Sequence, residues 1–144
     1  MRRLFSVCSL LLVALAVPAA TEFVMAAPAV AATSPCRAGE IAHVKSTFSP
    51  NPVTSGTDTT NTVTIWNCTN QAQSFTFKGN VFGPTNCPPG TGFGSIPANI
   101  APMGKFVSKV TFPAPTCKGT YTQNIQVFQG TTLVAHQRIT FSVT

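Results

Sequence analysis

Four cysteines, two carboxylates and two histidines are the side chains of residues 33–144 whose chemistry could matter most. Cys36, Cys68, Cys87 and Cys117 could bind zinc or pair as disulfides. A zinc knuckle needs closely spaced thiols, and no C-x-x-C occurs, so pairing is the expected use. Glu40 and Asp58 are the only acids of this region and fall on separate early segments, which gives no sign of the paired carboxylates of a glycosidase. His43 and His136 are the only side chains suited to proton transfer near neutral pH. Neither belongs to a G-x-S-x-G or similar nucleophile motif, and both fall in strand-like segments, where a surface position is expected. With Met103 they could ligate copper. However, no histidine or methionine follows Cys117 at the short range of a blue-copper loop. We therefore expect no catalytic residue, no metal site and no cofactor, and hold a small hydrolase with an unrecognised site as an alternative.

The binding chemistry is richer. Trp66 is the single tryptophan and could offer a stacking platform to a sugar ring or a partner side chain. It shares a strand face with Thr64 and Cys68 and not with Val63 and Ile65, although a loop or the Cys68 disulfide could also cover it. Phe93, in G-F-G, is expected as an exposed anchor on a Pro- and Gly-rich loop. Seven bases (Arg37, Lys45, Lys78, Lys105, Lys109, Lys118 and Arg138) against two acids leave a net charge of +5 for residues 33–144 with the histidines neutral. Such a balance favours anionic surfaces: acidic polysaccharide, cell envelope or an extracellular protein. It also serves mere solubility. The bases are scattered singly, without an aromatic-and-basic motif, so nucleic acid is not an expected partner. The residues proposed for binding are Trp66, Phe93, Lys105, Lys109 and Lys118.

The compartment is set by the first residues. Arg2 and Arg3, an apolar run from Leu4 to Val17 and the small-residue stretch Ala27–Ala32 follow the order of a secretory signal peptide. Cleavage is expected after Ala31 or Ala32, with an earlier cut after Ala20 as the alternative. The apolar run of about 14 residues is shorter than the roughly 20 of a spanning helix. Cys8 lies inside it, too early for a lipoprotein site, and a full twin-arginine motif is missing. Residues 1–32 are thus read as a signal peptide, and residues 33–144 as one secreted domain, expected to be monomeric, in an oxidising compartment.

Strands dominate that domain. Alternation marks Ile41–Phe48, Asn61–Cys68, Ser74–Phe82 and Lys105–Phe112, with Phe106, Val110 and Phe112 inward. A hairpin follows across Q-G-T-T, its second arm placing Leu133, Ala135, Ile139, Phe141 and Val143 on one side. Gly83–Pro102 is read as a long loop tied by Cys87, too rich in Pro and Gly for an element. About seven strands with frequent turns indicate an all-β, immunoglobulin-like β-sandwich with two disulfides.

S-P-N-P-V-T-S-G-T-D-T-T-N-T-V-T-I-W-N-C-T-N (49–70) and C-K-G-T-Y-T-Q-N-I-Q-V-F-Q-G-T-T-L-V (117–134) resemble the immunoglobulin-like modules of bacterial exported proteins. The resemblance implies the fold and a secreted, non-catalytic habit. It assigns no ligand. Tyr121 matches the tyrosine corner of such sandwiches, whose hydroxyl bonds nearby backbone. Strands that alternate in direction bring Cys36 to Cys68 at one pole and Cys87 to Cys117 at the other, the favoured one of three pairings. Asn67-Cys68-Thr69 is a formal glycosylation sequon, expected to be unused. The function expected is recognition of an envelope or extracellular component through the disulfide-tied loop. A secreted protease inhibitor that presents the same loop is the rival.

Overall fold

A computed structural model describes residues 34–88, 90 and 92–144. The expected signal peptide (1–32), including Cys8, lies outside them, as do Pro89 and Thr91 of the loop. The strands run β1 (Ala42–Ser49), β2 (Asp58–Asn67), β3 (Gln73–Phe82), β4 (Phe93–Ile100), β5 (Lys105–Pro113), β6 (Gly119–Gln129) and β7 (Thr132–Val143). They form a three-stranded sheet, β1-β2-β5, and a four-stranded sheet, β4-β3-β6-β7, with every pairing antiparallel. No helix among the described residues is long and apolar enough to cross a membrane.

Period-2 alternation builds the sandwich. Along β2, Thr59, Asn61, Val63, Ile65 and Asn67 are buried, while Thr60, Thr62, Thr64 and Trp66 face outward. β6 buries Tyr121, Gln123, Ile125 and Val127 in the same way. The main core joins Val44, Val63, Ile65, Phe75, Phe77, Ile125 and Val127 with their neighbours. A second cluster holds Val53, Ala114, Tyr121, Phe141 and Val143.

Between the two clusters lies a polar belt. Ser46 Oγ donates to Gln123 Oε1 (3.0 Å), Asn61 Nδ2 to Ser46 Oγ (2.8 Å) and Gln123 Nε2 to Asn61 Oδ1 (3.1 Å). Three buried polar side chains that satisfy one another avoid the cost of orphaned amides.

The expected loop Gly83–Pro102 contains β4. Ile96, Ala98 and Ile100 pair opposite Phe77, Phe75 and Gln73 and point inward. Pro97 does not forbid the strand because β4 is at the sheet edge, where one side has no ladder to maintain. A bulge in the β6–β7 ladder corrects the second arm of the hairpin: Leu133 turns outward, and Val134 packs on the core. Val110 points between the sheets as expected but stays 52% exposed.

The sandwich is latched along one edge. Val53 N donates to Ser142 O and Thr144 N to Val53 O, both at 2.9 Å, in a short parallel bridge between Val53 and Val143. Along the other edge β4 and β5 belong to different sheets, and a cleft opens between them.

Candidate functional site

The outer face of the three-stranded sheet gathers the binding side chains. Register sets His43 beside Trp66 and Trp66 beside Lys105 in one row. The next row is Lys45, Thr64 and Val107, and the next Thr47, Thr62 and Lys109. Outward residues of one strand face outward together, so these three rows form one surface about 10 Å across its three strands. Lys45, Lys105 and Lys109 are exposed along it.

Trp66 itself is half-buried. The His43 ring meets it edge-to-face with centroids 5.7 Å apart. His43 Nδ1 lies 3.5 Å from Glu40 Oε2, which steadies the imidazole beside the indole. At the far end Thr60 and Thr111 share a hydrogen bond of 2.9 Å between their hydroxyls. The surface thus offers an aromatic ring, three ammonium groups and a ladder of small hydroxyls.

Lys105, Lys109 and Trp66 come together here. Lys118 and Phe93 do not. Lys118 is exposed beside the Cys87–Cys117 bond, at the start of β6 in the other sheet. Phe93, expected as an exposed anchor, instead packs inward against the main core. Its ring meets Phe77 at 5.7 Å and covers Gly79, where the lack of a Cβ makes room for it. The reason is parity: Phe93 opens β4 opposite Gly79, on the inward-facing register. The sequence does not assign His43, Lys45 and the threonine ladder to the binding surface, because neighbours across strands depend on register.

Both disulfides pair as expected, Cys36–Cys68 and Cys87–Cys117, with Cα separations of 5.5 and 5.8 Å. Tyr121 O–H donates to Cys117 O at 2.8 Å, and its ring stacks on Phe141 at 5.2 Å. The aromatic corner therefore braces the second disulfide. The sequon residue Asn67 is fully buried. Its amide donates to Gln71 O, Ala101 O and Ile100 O, and its Oδ1 accepts from Thr69.

Of the residues weighed for catalysis, Glu40 and His43 meet, and Asp58 and His136 lie apart from them. Glu40 sits at the Trp66 end of the sheet and Asp58 at the other end of β2, which places them about 25 Å apart at the rise of an extended strand. His43 and His136 occupy different sheets. Among the described residues no three His, Cys, Asp or Glu side chains converge as a metal site would require.

Two antiparallel sheets in the orders given, packed face to face, define the architecture. The fold is an immunoglobulin-like β-sandwich. A crystal structure of a CARDB domain from Pyrococcus furiosus, in complex with di-metal ions, superposes with a TM-score of 0.56 at 17% identity and covers 72% of this chain and 85% of that one. The solution structure of the CARDB domain from the same organism gives 0.54 at 19% identity, covering 72% and 92%. The DNA glycosylase AlkC of Pseudomonas fluorescens, bound to DNA containing an abasic site analog, gives 0.54 at 9% identity, covering 73% of this chain and 31% of that one. At these identities the likeness is one of fold. No protein-family model and no curated protein matches the chain.

Proposed function

We propose that residues 33–144 form an exported, non-catalytic recognition module that binds an anionic polysaccharide of the cell envelope or its surroundings on the outer face of the three-stranded sheet. The observation that carries this reading is the row His43–Trp66–Lys105 with Lys45 and Lys109 on the same surface. An indole face takes the apolar side of a sugar ring, and neighbouring ammonium groups take its carboxylates or sulfates. Threonine hydroxyls, each both donor and acceptor, suit the hydroxyls of such a chain. Lys105 and Lys109 are about 13 Å apart along β5, enough to engage successive units of an extended polymer. The order of residues 1–32 and the two disulfides support export.

The disulfide-tied loop is a weaker candidate for this role, because Phe93 is drawn into the core and Phe93–Ile100 of it forms β4. The test is co-sedimentation of the oxidised protein with cross-linked pectate and with cell envelopes across a salt series. Retention should fade as salt rises. Trp66→Ala should lower it about tenfold, as loss of one stacking contact does. Lys105→Glu combined with Lys109→Glu should abolish it, and Lys118→Glu should leave it unchanged. No retention at any salt, or retention indifferent to Trp66, Lys105 and Lys109, refutes the reading. Tight inhibition of a protease would then move the assignment to the loop.

A further inference from the structure

We infer that the cleft between β4 and β5 is a second binding site, one for a small, uncharged amphipathic molecule with an alkyl body and a hydroxyl head. The cleft encloses about 310 Å³. At ~30 Å³ each that is room for about ten waters, or for a ligand of similar heavy-atom count. Its walls are apolar: Val63, Phe77, Val81, Phe93, Val110 and Phe112 line it. Ordinary packing would close such a space, since interiors leave few voids larger than a water molecule. Here two inward-facing residues of β5 remain incompletely covered, Val110 at 52% exposure and Phe112 half-buried.

The polar groups in the lining define the head group. Asn61 and Gln123 border the cleft and are 5% and 3% exposed, and Ser108 shares the lining. Among the described residues, Gln123 Nε2 donates one hydrogen bond, to Asn61 Oδ1, and Asn61 Oδ1 accepts one. An amide nitrogen carries two protons and a carbonyl oxygen two lone pairs. One donor and one acceptor are therefore unspent, side by side. A hydroxyl is the group that both accepts and donates. Among the described residues no Lys, Arg, His, Asp or Glu lines the cleft, so a carboxylate or ammonium entering it would meet no counter-ion and lose its hydration. Charge thus separates this site from the Trp66 face, which lies on the opposite side of β2.

The experiment is titration of the oxidised protein with 1-octanol, octanoate and octylammonium, followed by calorimetry and methyl NMR. Octanol should bind saturably and shift the methyl signals of Val63, Val81 and Val110, while Leu133, exposed on the outer face of β7, stays put. Octanoate and octylammonium should bind at least about tenfold more weakly, as expected for burying an unpaired charge. Val110→Trp, at a position exposed enough to tolerate the larger ring, should plug the mouth and abolish octanol binding, with its urea midpoint unchanged to show that it folds. The inference is overturned if octanol moves none of these methyls, if octanoate binds as tightly as octanol, or if folded Val110→Trp binds octanol like the parent.

Discussion

Asn67 gives the sharpest test of how this sandwich is held together. Its side chain is fully buried where the end of β2, the turn into β3 and the β4–β5 turn meet. Nδ2 reaches Gln71 O at 2.7 Å, Ala101 O at 3.0 Å and Ile100 O at 3.2 Å. Oδ1 accepts from Thr69 N at 2.9 Å and Thr69 Oγ1 at 2.8 Å. Two amide protons shared among three carbonyls, and two bonds accepted, make about four hydrogen bonds. At about 1 kcal/mol each, Asn67→Ala should cost about 4 kcal/mol. That is a large share of the roughly 5–15 kcal/mol typical of a domain.

Asn67→Asp should cost as much at pH 7, since it faces the same carbonyls with an acceptor. Once protonated, the introduced carboxyl could donate again, and the folded protein would hold that proton more tightly than the unfolded chain. Its folded pKa would thus lie above the unfolded value. The variant should therefore regain stability as the pH falls towards about 4, losing it as the pH rises. Thr69→Val should cost about 1 kcal/mol alone and little more on top of Asn67→Ala, because the partner is already gone. Urea unfolding at constant m-value, followed by Trp66 fluorescence and circular dichroism with both disulfides intact, measures all of these. An Asn67→Ala variant within about 1 kcal/mol of the parent would refute the assignment of Asn67 as the joint between the strands.

Gly79→Ala should cost about 1–3 kcal/mol by overpacking, since the new Cβ overlaps the Phe93 ring and lies 2.9 Å from Ile125 Cδ1; hydrogen exchange should show β4 loosening before the other strands. Tyr121→Phe removes the 2.8 Å bond to Cys117 O and should lower stability by about 1 kcal/mol in urea unfolding. Replacing Cys87 and Cys117 together by Ala opens a loop of sequence separation 30 and should cost about 3–4 kcal/mol in the chain-entropy estimate, read from the thermal midpoint.

The parts of the fold legible in the sequence are those set by local alternation. β2, β6 and most of β7 announce themselves through residues such as Val63, Ile65, Ile125 and Phe141 recurring every second position. The cysteine pairing was legible too, because it needs only the direction of successive strands. β4 was not: Gly92, Gly94 and Pro97 carry strong loop signals, and only the edge position excuses them. Phe93 was misplaced for the same reason. Parity along β2 set Trp66 beside Thr64, yet the neighbours His43 and Lys105 follow from cross-strand register, which no single strand encodes. The cleft depends on how far apart two sheet edges sit, a property of the whole sandwich.

The two disulfides join residues 36 to 68 and 87 to 117, so one covalent loop ends before the next begins. Neither encloses nor threads the other. For a chain delivered to an oxidant N-terminus first, Cys36 and Cys87 each meet the correct partner as the very next thiol to emerge. Oxidation in order of arrival gives the native connectivity, without the shuffling that interleaved bonds require. Such a chain should mature with little help from a disulfide isomerase.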